Sequence, residues 1–172
     1  MSAPVEKDTA PQGMSAPVEK DPSHWLYRLT AREWIQASLA ELQRTEAAYR
    51  DHNPRAGHAG VRRAAGMALN AALIYEPRPA WGRSYMDHLA ALQSDPDVPD
   101  PVRDAARLLV EAPTPGASLT PLRSKSGDER LLEAARTIMA HGYAIATRHE
   151  GAETQPAPEV EELPPLDDKG SP

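Results

Sequence analysis

Proline placement decides what this chain can fold into. None of its 18 prolines falls in residues 23–53, 55–76, 80–95, 102–112 or 122–155. Proline inside a helix removes a backbone donor and clashes with the preceding turn, at a cost of about 3 kcal/mol. Proline-free windows framed by prolines therefore read as helices framed by turns.

Helix-start chemistry sits at the front edge of most windows. Thr30-Ala-Arg-Glu33 is a capping box, and Ile35, Leu39, Leu42 and Tyr49 follow at helical spacing as the expected inward face. Trp25, Leu26 and Leu29 precede it as a lead-in. Asn53-Pro54 ends this helix and can cap the next. Residues 61–75 then carry a small-residue stripe of Val61, Ala65, Ala68 and Ala72, with Met67, Leu69, Leu73 and Ile74 on neighbouring faces. Gly66 lies inside that helix, which predicts close approach by another helix, and Arg62 and Arg63 mark the polar side. Ser84 with Asp87 can cap a short helix carrying Tyr85, Leu89 and Leu92. Asp100-Pro101 opens another, with Val102, Ala105, Ala106 and Leu109 inward. Residues 113–125 read as a loop. Ser126-Gly-Asp-Glu129 is a second capping box, opening a long helix with a seam of Leu131, Ala135, Ile138, Gly142 and Ile145. No strand alternation competes. The expected fold is all-α: an up-down bundle of four to five helices over residues 23–149.

Charge is concentrated outside that region. The net charge is −6; residues 1–22 contribute −2 and residues 150–172 contribute −6, leaving +2, mostly from arginine, between them. Both end segments are poor in hydrophobic residues and read as disordered tails. The first contains Met-Ser-Ala-Pro-Val-Glu-Lys-Asp twice, at 1–8 and 14–21, which reads as a tandem duplication; a second translation start at Met14 is the other reading. The last is acidic and proline-rich. Within it Val160, Leu163 and Leu166 recur at three-residue spacing among acids, which reads as a solubilising acidic tail; a short partner-docking motif is the other reading.

Several chemistries are excluded. With no cysteine there are no disulfides, thiolate metal sites or cysteine nucleophiles. His24, His52, His58, His88 and His149 form no metal-binding spacing and read as scattered surface residues, while His141 reads as a boundary histidine at the edge of the seam, so neither metal nor cofactor is expected. No glycine-rich phosphate loop and no Gly-x-Ser-x-Gly elbow occur. No apolar run approaches the roughly 18 residues of a membrane span. Nor does a segment with a basic start and apolar centre resemble a signal peptide, so a cytoplasmic protein is expected.

One string can carry chemistry: Arg136-Thr-Ile-Met-Ala-His141-Gly-Tyr143. This Arg-x4-His-x-Tyr pattern resembles the signature of HEPN-family RNA-cleaving toxins. The Ala-rich stretch of residues 63–74 is similar to the second helix of those domains. The resemblance spans residues 30–149 and implies a small helical bundle that acts as a dimer in metal-independent RNA cleavage. Arg136 would then stabilise the charged phosphorane and His141 would move a proton, with Tyr143 completing the motif. On a straight helix, a separation of five residues sets Arg136 and His141 about 140° apart, whereas Arg136 and Tyr143 share a face. The residues therefore favour a non-enzymatic, HEPN-like interaction or accessory module that self-associates as a homodimer and engages a protein partner. The alternative is a HEPN-type RNA endonuclease or RNA-binding protein using Arg136 and His141.

Overall fold

A computed structural model describes residues 23–115 and 125–154, with side chains through Gly151. Among these residues every regular element is helical: α1 (Ala31–Arg50), α2 (Pro54–Tyr75), α3 (Tyr85–Leu92), α4 (Asp100–Glu111) and α5 (Lys125–Thr154). Two short 3-10 helices, Trp25–Arg28 and Pro79–Trp81, precede α1 and α3. The tail assignments at 1–22 and 155–172, and with them Val160, Leu163 and Leu166, lie outside the described residues.

Local chemistry sets the helix starts. The Thr30 hydroxyl accepts from the Glu33 amide at 3.2 Å, while the Glu33 carboxylate accepts from the Thr30 amide at 2.8 Å. Ser84 and Asp87 repeat this reciprocal cap on α3. Asn53 caps α2 with Pro54 in its first turn, so α2 begins seven residues before the apolar stripe that marks it in sequence. Ser126 does not cap α5: that helix already includes Lys125, which puts Ser126 within its first turn. The helix also runs past the expected boundary at 149 to Thr154.

The α1/α2 hairpin is held by an unusual seam. Buried positions on α1 are Ala31, Trp34, Ser38, Glu41, Leu42, Thr45 and Tyr49, whereas Leu39, expected inward, is 51% exposed. The reason lies on α2. Ser38 donates to the Ala64 carbonyl at 2.7 Å, and Arg63 grips the Glu41 carboxylate at 2.5 Å. Thr45 and the Tyr49 ring fill the space left by the missing side chains of Gly60 and Gly57. Small and hydrogen-bonded groups admit a tighter approach than leucine would, so polar positions face in and Leu39 faces out. These pairings, 49 with 57, 45 with 60 and 41 with 63, make α1 and α2 antiparallel.

Helix α5 lies against α2 at Gly142, where an added Cβ would collide with the backbone carbonyl of Ala68. This is the close helix–helix approach that the sequence suggested for Gly66. Gly66 instead sits beneath the Tyr85 ring of α3. Further along, Glu76 meets Arg148 at 2.8 Å and His149 at 3.1 Å, so α5 runs parallel to α2. Arg62, far from being merely solvated, donates to the Leu109 and Ala112 carbonyls at 2.8 and 2.7 Å. The first half of α2 therefore meets the end of α4. The main core joins Leu69 and Ala68 of α2, Leu89 and Leu92 of α3, Leu109 of α4 and Ile138 of α5. A second cluster packs Leu26 and Trp34 against Ala71, Ile74 and Ala146. No described helix is long and apolar enough to cross a membrane.

Candidate functional site

The three residues of the Arg-x4-His-x-Tyr string occupy different surroundings. Arg136 projects toward α1 and binds Glu46 at 2.6 Å, with Glu133 at 3.4 Å. The Glu46 hydrogen bond holds its guanidinium more firmly charged than usual, despite an opposing contribution from burial. Arg136 lines a groove with Tyr49, Arg50 and Leu132. His141 faces the other way, into a cleft between α2 and the start of α4. Burial pushes its imidazole below the ordinary histidine value, so it is neutral near pH 7. Tyr143 returns to the α1 side and is 54% exposed. Within one chain, then, the arginine and the histidine do not converge on a common substrate position.

The α1/α5 side holds a feature the string did not signal. Glu46–Arg136 links two antiparallel helices. One heptad back on α1 is Leu39, and one heptad on along α5 is Tyr143. Leu39 and Tyr143 are the two most exposed large apolar side chains among the described residues. Around them are Gln36, Gln43 and Ala140, all exposed. Residues 137–147 contain no Asp, Glu, Lys or Arg at all. Exposed leucine and tyrosine beside this uncharged stretch of α5 are the apolar groups an interface core requires. Helical spacing flagged Leu39 as apolar and periodic and placed it inward, whereas it is exposed.

The cleft occupied by His141 has a volume of about 320 Å³. Leu69, Leu73, Val98 and Ile145 give it apolar walls, and Trp81, Arg78 and Arg148 stand at its rim. Glu76 is held below the usual carboxylate range chiefly by the His149 hydrogen bond, then, against burial, by Arg148. His149 in turn stacks on Tyr75, ring centroids 5.2 Å apart and nearly parallel.

Not all histidines are on the surface. His88 is fully buried on α3, stacked against Trp25 at 6.2 Å, and neither ring nitrogen makes a hydrogen bond of normal geometry. Burial pushes it below the ordinary histidine value, against weaker opposing pulls from the Gly82 backbone and Asp87. Asn70 is likewise buried without partners on α2. Among the described residues no group of three or more His, Asp or Glu side chains is arranged to hold a metal ion.

The chain matches no family model, no curated protein and no solved structure.

Proposed function

We propose that this chain is a non-enzymatic helical interaction module, of HEPN-like up-down bundle form, that self-associates through the outer α1/α5 face. The carrying observation is the exposure of two large apolar side chains, Leu39 on α1 and Tyr143 on α5. A two-fold axis through that face would bring the exposed Leu39 and Tyr143 of both copies into one isologous interface. The uncharged run of residues 137–147 brings no like charges together there. The antiparallel run of α1 against both α2 and α5, read from their paired residues, supports the bundle topology. The acidic and apolar composition around Val160, Leu163 and Leu166 fits a module with more than one contact surface.

The RNA-cleaving alternative requires Arg136 to leave Glu46 and meet a histidine from a second copy, because His141 of the same chain lies on the opposite side of α5. Analytical ultracentrifugation tests the proposal. The unaltered chain should form a dimer, and Tyr143→Glu together with Leu39→Glu should yield a folded monomer. A chain that is monomeric at all accessible concentrations would overturn the self-association reading. Cleavage of single-stranded RNA or tRNA that disappears in both Arg136→Ala and His141→Ala, with the fold intact, would replace the non-enzymatic reading with the endonuclease.

A further inference from the structure

Away from the α1/α5 face, the interior holds polar groups that the packing leaves unanswered. The Asn70 amide, the His88 imidazole and the Trp25 indole nitrogen are buried, and none makes a hydrogen bond of normal geometry among the described residues. Asn70 and His88 are both 0% exposed. A polar group that deep loses its hydration with no return unless something bonds to it, which is why buried polar side chains are almost always paired.

The three groups come from elements that pack on one another. Gly66 of α2 sits beneath the Tyr85 ring of α3. Asn70 follows Gly66 by four residues and His88 follows Tyr85 by three, so each lies one turn along the face that makes this contact. Trp25 supplies the direction. It packs against the cluster that contains Ala71 and Ile74 of α2, and its ring lies 6.2 Å from that of His88, at 19° between planes. His88 is therefore carried toward the later turns of α2, where Asn70 is.

Their bonding capacities suit a shared intermediary. Trp25 Nε1 can only donate, and the Asn70 amide offers both donors and an acceptor. Burial keeps the His88 ring neutral, which leaves it one donor and one acceptor nitrogen. The weak pull of the Gly82 backbone engages the donor alone. A water molecule accepts twice and donates twice, and a buried one typically makes about three hydrogen bonds.

We propose that Asn70, His88 and Trp25 enclose a site for an ordered water at the junction of α2, α3 and the Trp25–Arg28 segment. The water accepts from Trp25 Nε1 and from the Asn70 amide nitrogen, and donates to the acceptor nitrogen of His88. It joins three elements by directional bonds where their other contacts are apolar, so it selects one placement of α3 on α2. It exchanges with solvent only when α3 or the Trp25–Arg28 segment lifts away.

A high-resolution crystal structure of the full chain tests this directly. An ordered water should lie within about 2.7–3.2 Å of both Asn70 and a His88 ring nitrogen. A direct Asn70–His88 bond, or side chains too far apart to share one water, would overturn the proposal. In solution, oxygen-17 relaxation dispersion of the unaltered chain should register an internal water held far longer than surface hydration. Asn70→Leu should remove that contribution and Leu39→Glu should keep it; a contribution that survives Asn70→Leu refutes the site. Thermal unfolding gives a third reading. Asn70→Leu and His88→Leu each leave the other group dry, so the double variant should lose less in Tm than the two single losses combined. Strictly additive losses would show that no water connects them.

Discussion

Replacing Gly142 with alanine isolates the tightest contact in the bundle. The new Cβ would meet the Ala68 carbonyl oxygen, its carbonyl carbon at 2.8 Å and its Cβ at 3.3 Å. The first two are backbone atoms in the middle of a buried helix, so no side-chain rotation relieves the clash. Helices α2 and α5 must separate by about 0.5–1 Å, which forfeits a quarter to a half of the dispersion well for each contact along the seam. Overpacking of this kind costs roughly 1–3 kcal/mol, and a backbone collision belongs at the upper end. Alanine recovers about 1 kcal/mol of helix propensity. The net expectation is a loss of about 2 kcal/mol. For a domain of this size that is a fall in Tm of about 8 °C. Gly151→Ala is the matched control: nothing lies within 4 Å of its added Cβ, so it should be neutral or slightly stabilising. Thermal and urea unfolding of both variants supplies the measurement. A Gly142→Ala protein that melts at or above the unaltered temperature would show that α5 does not press on α2 there.

Other expectations follow from the interior. Gly66→Leu must displace the Tyr85 ring and should cost about 1–3 kcal/mol by urea unfolding, a loss that Tyr85→Ala in the same chain should largely offset. Glu41 is buried, and although burial opposes ionisation, its hydrogen bonds from Arg44 and Arg63 prevail and hold the carboxyl below its ordinary value. Its contribution is therefore present at neutral pH and lost as pH falls through the acid range; Glu41→Gln should lose about 1–2 kcal/mol at pH 7 and flatten that acid limb. His88 behaves in the opposite sense to a paired histidine. The folded protein keeps the ring neutral while the unfolded chain takes up a proton below about pH 6.5, so stability should decline as pH drops from 7 toward 5, and His88→Leu should remove that slope.

Helix starts were legible because they are local. Thr30 with Glu33, Ser84 with Asp87 and Asn53 with Pro54 each satisfy their own turn, and neighbouring residues suffice to recognise them. The inward face of α1 was not legible, since Ser38, Glu41 and Thr45 are polar and their partners lie 15 to 26 positions away on α2. Periodicity chose Leu39 because an apolar residue at helical spacing is ambiguous between a core inside the chain and a contact outside it. The separation of Arg136 from His141 followed from helical geometry alone. That Arg136 is tied to Glu46, ninety positions earlier, depended on how α1 and α5 meet. Sequence likewise gave no means to distinguish buried His88 from its five counterparts, as its environment is assembled from α3 and the Trp25–Arg28 segment.

Arg62 has a consequence for how this domain can change over evolutionary time. By holding the Leu109 and Ala112 carbonyls from α2, it terminates α4 with a group that lies upstream in sequence. The exit of α4 is thus set before the connection to α5 begins. Lengthening that connection leaves both Arg62 bonds at the helix end in place, and closure entropy grows only slowly with loop length, by about 0.6 kcal/mol per doubling. The stretch beginning at Pro113 is accordingly where added sequence should be best tolerated, so that a new recognition element could be grafted there without re-engineering the helices it joins.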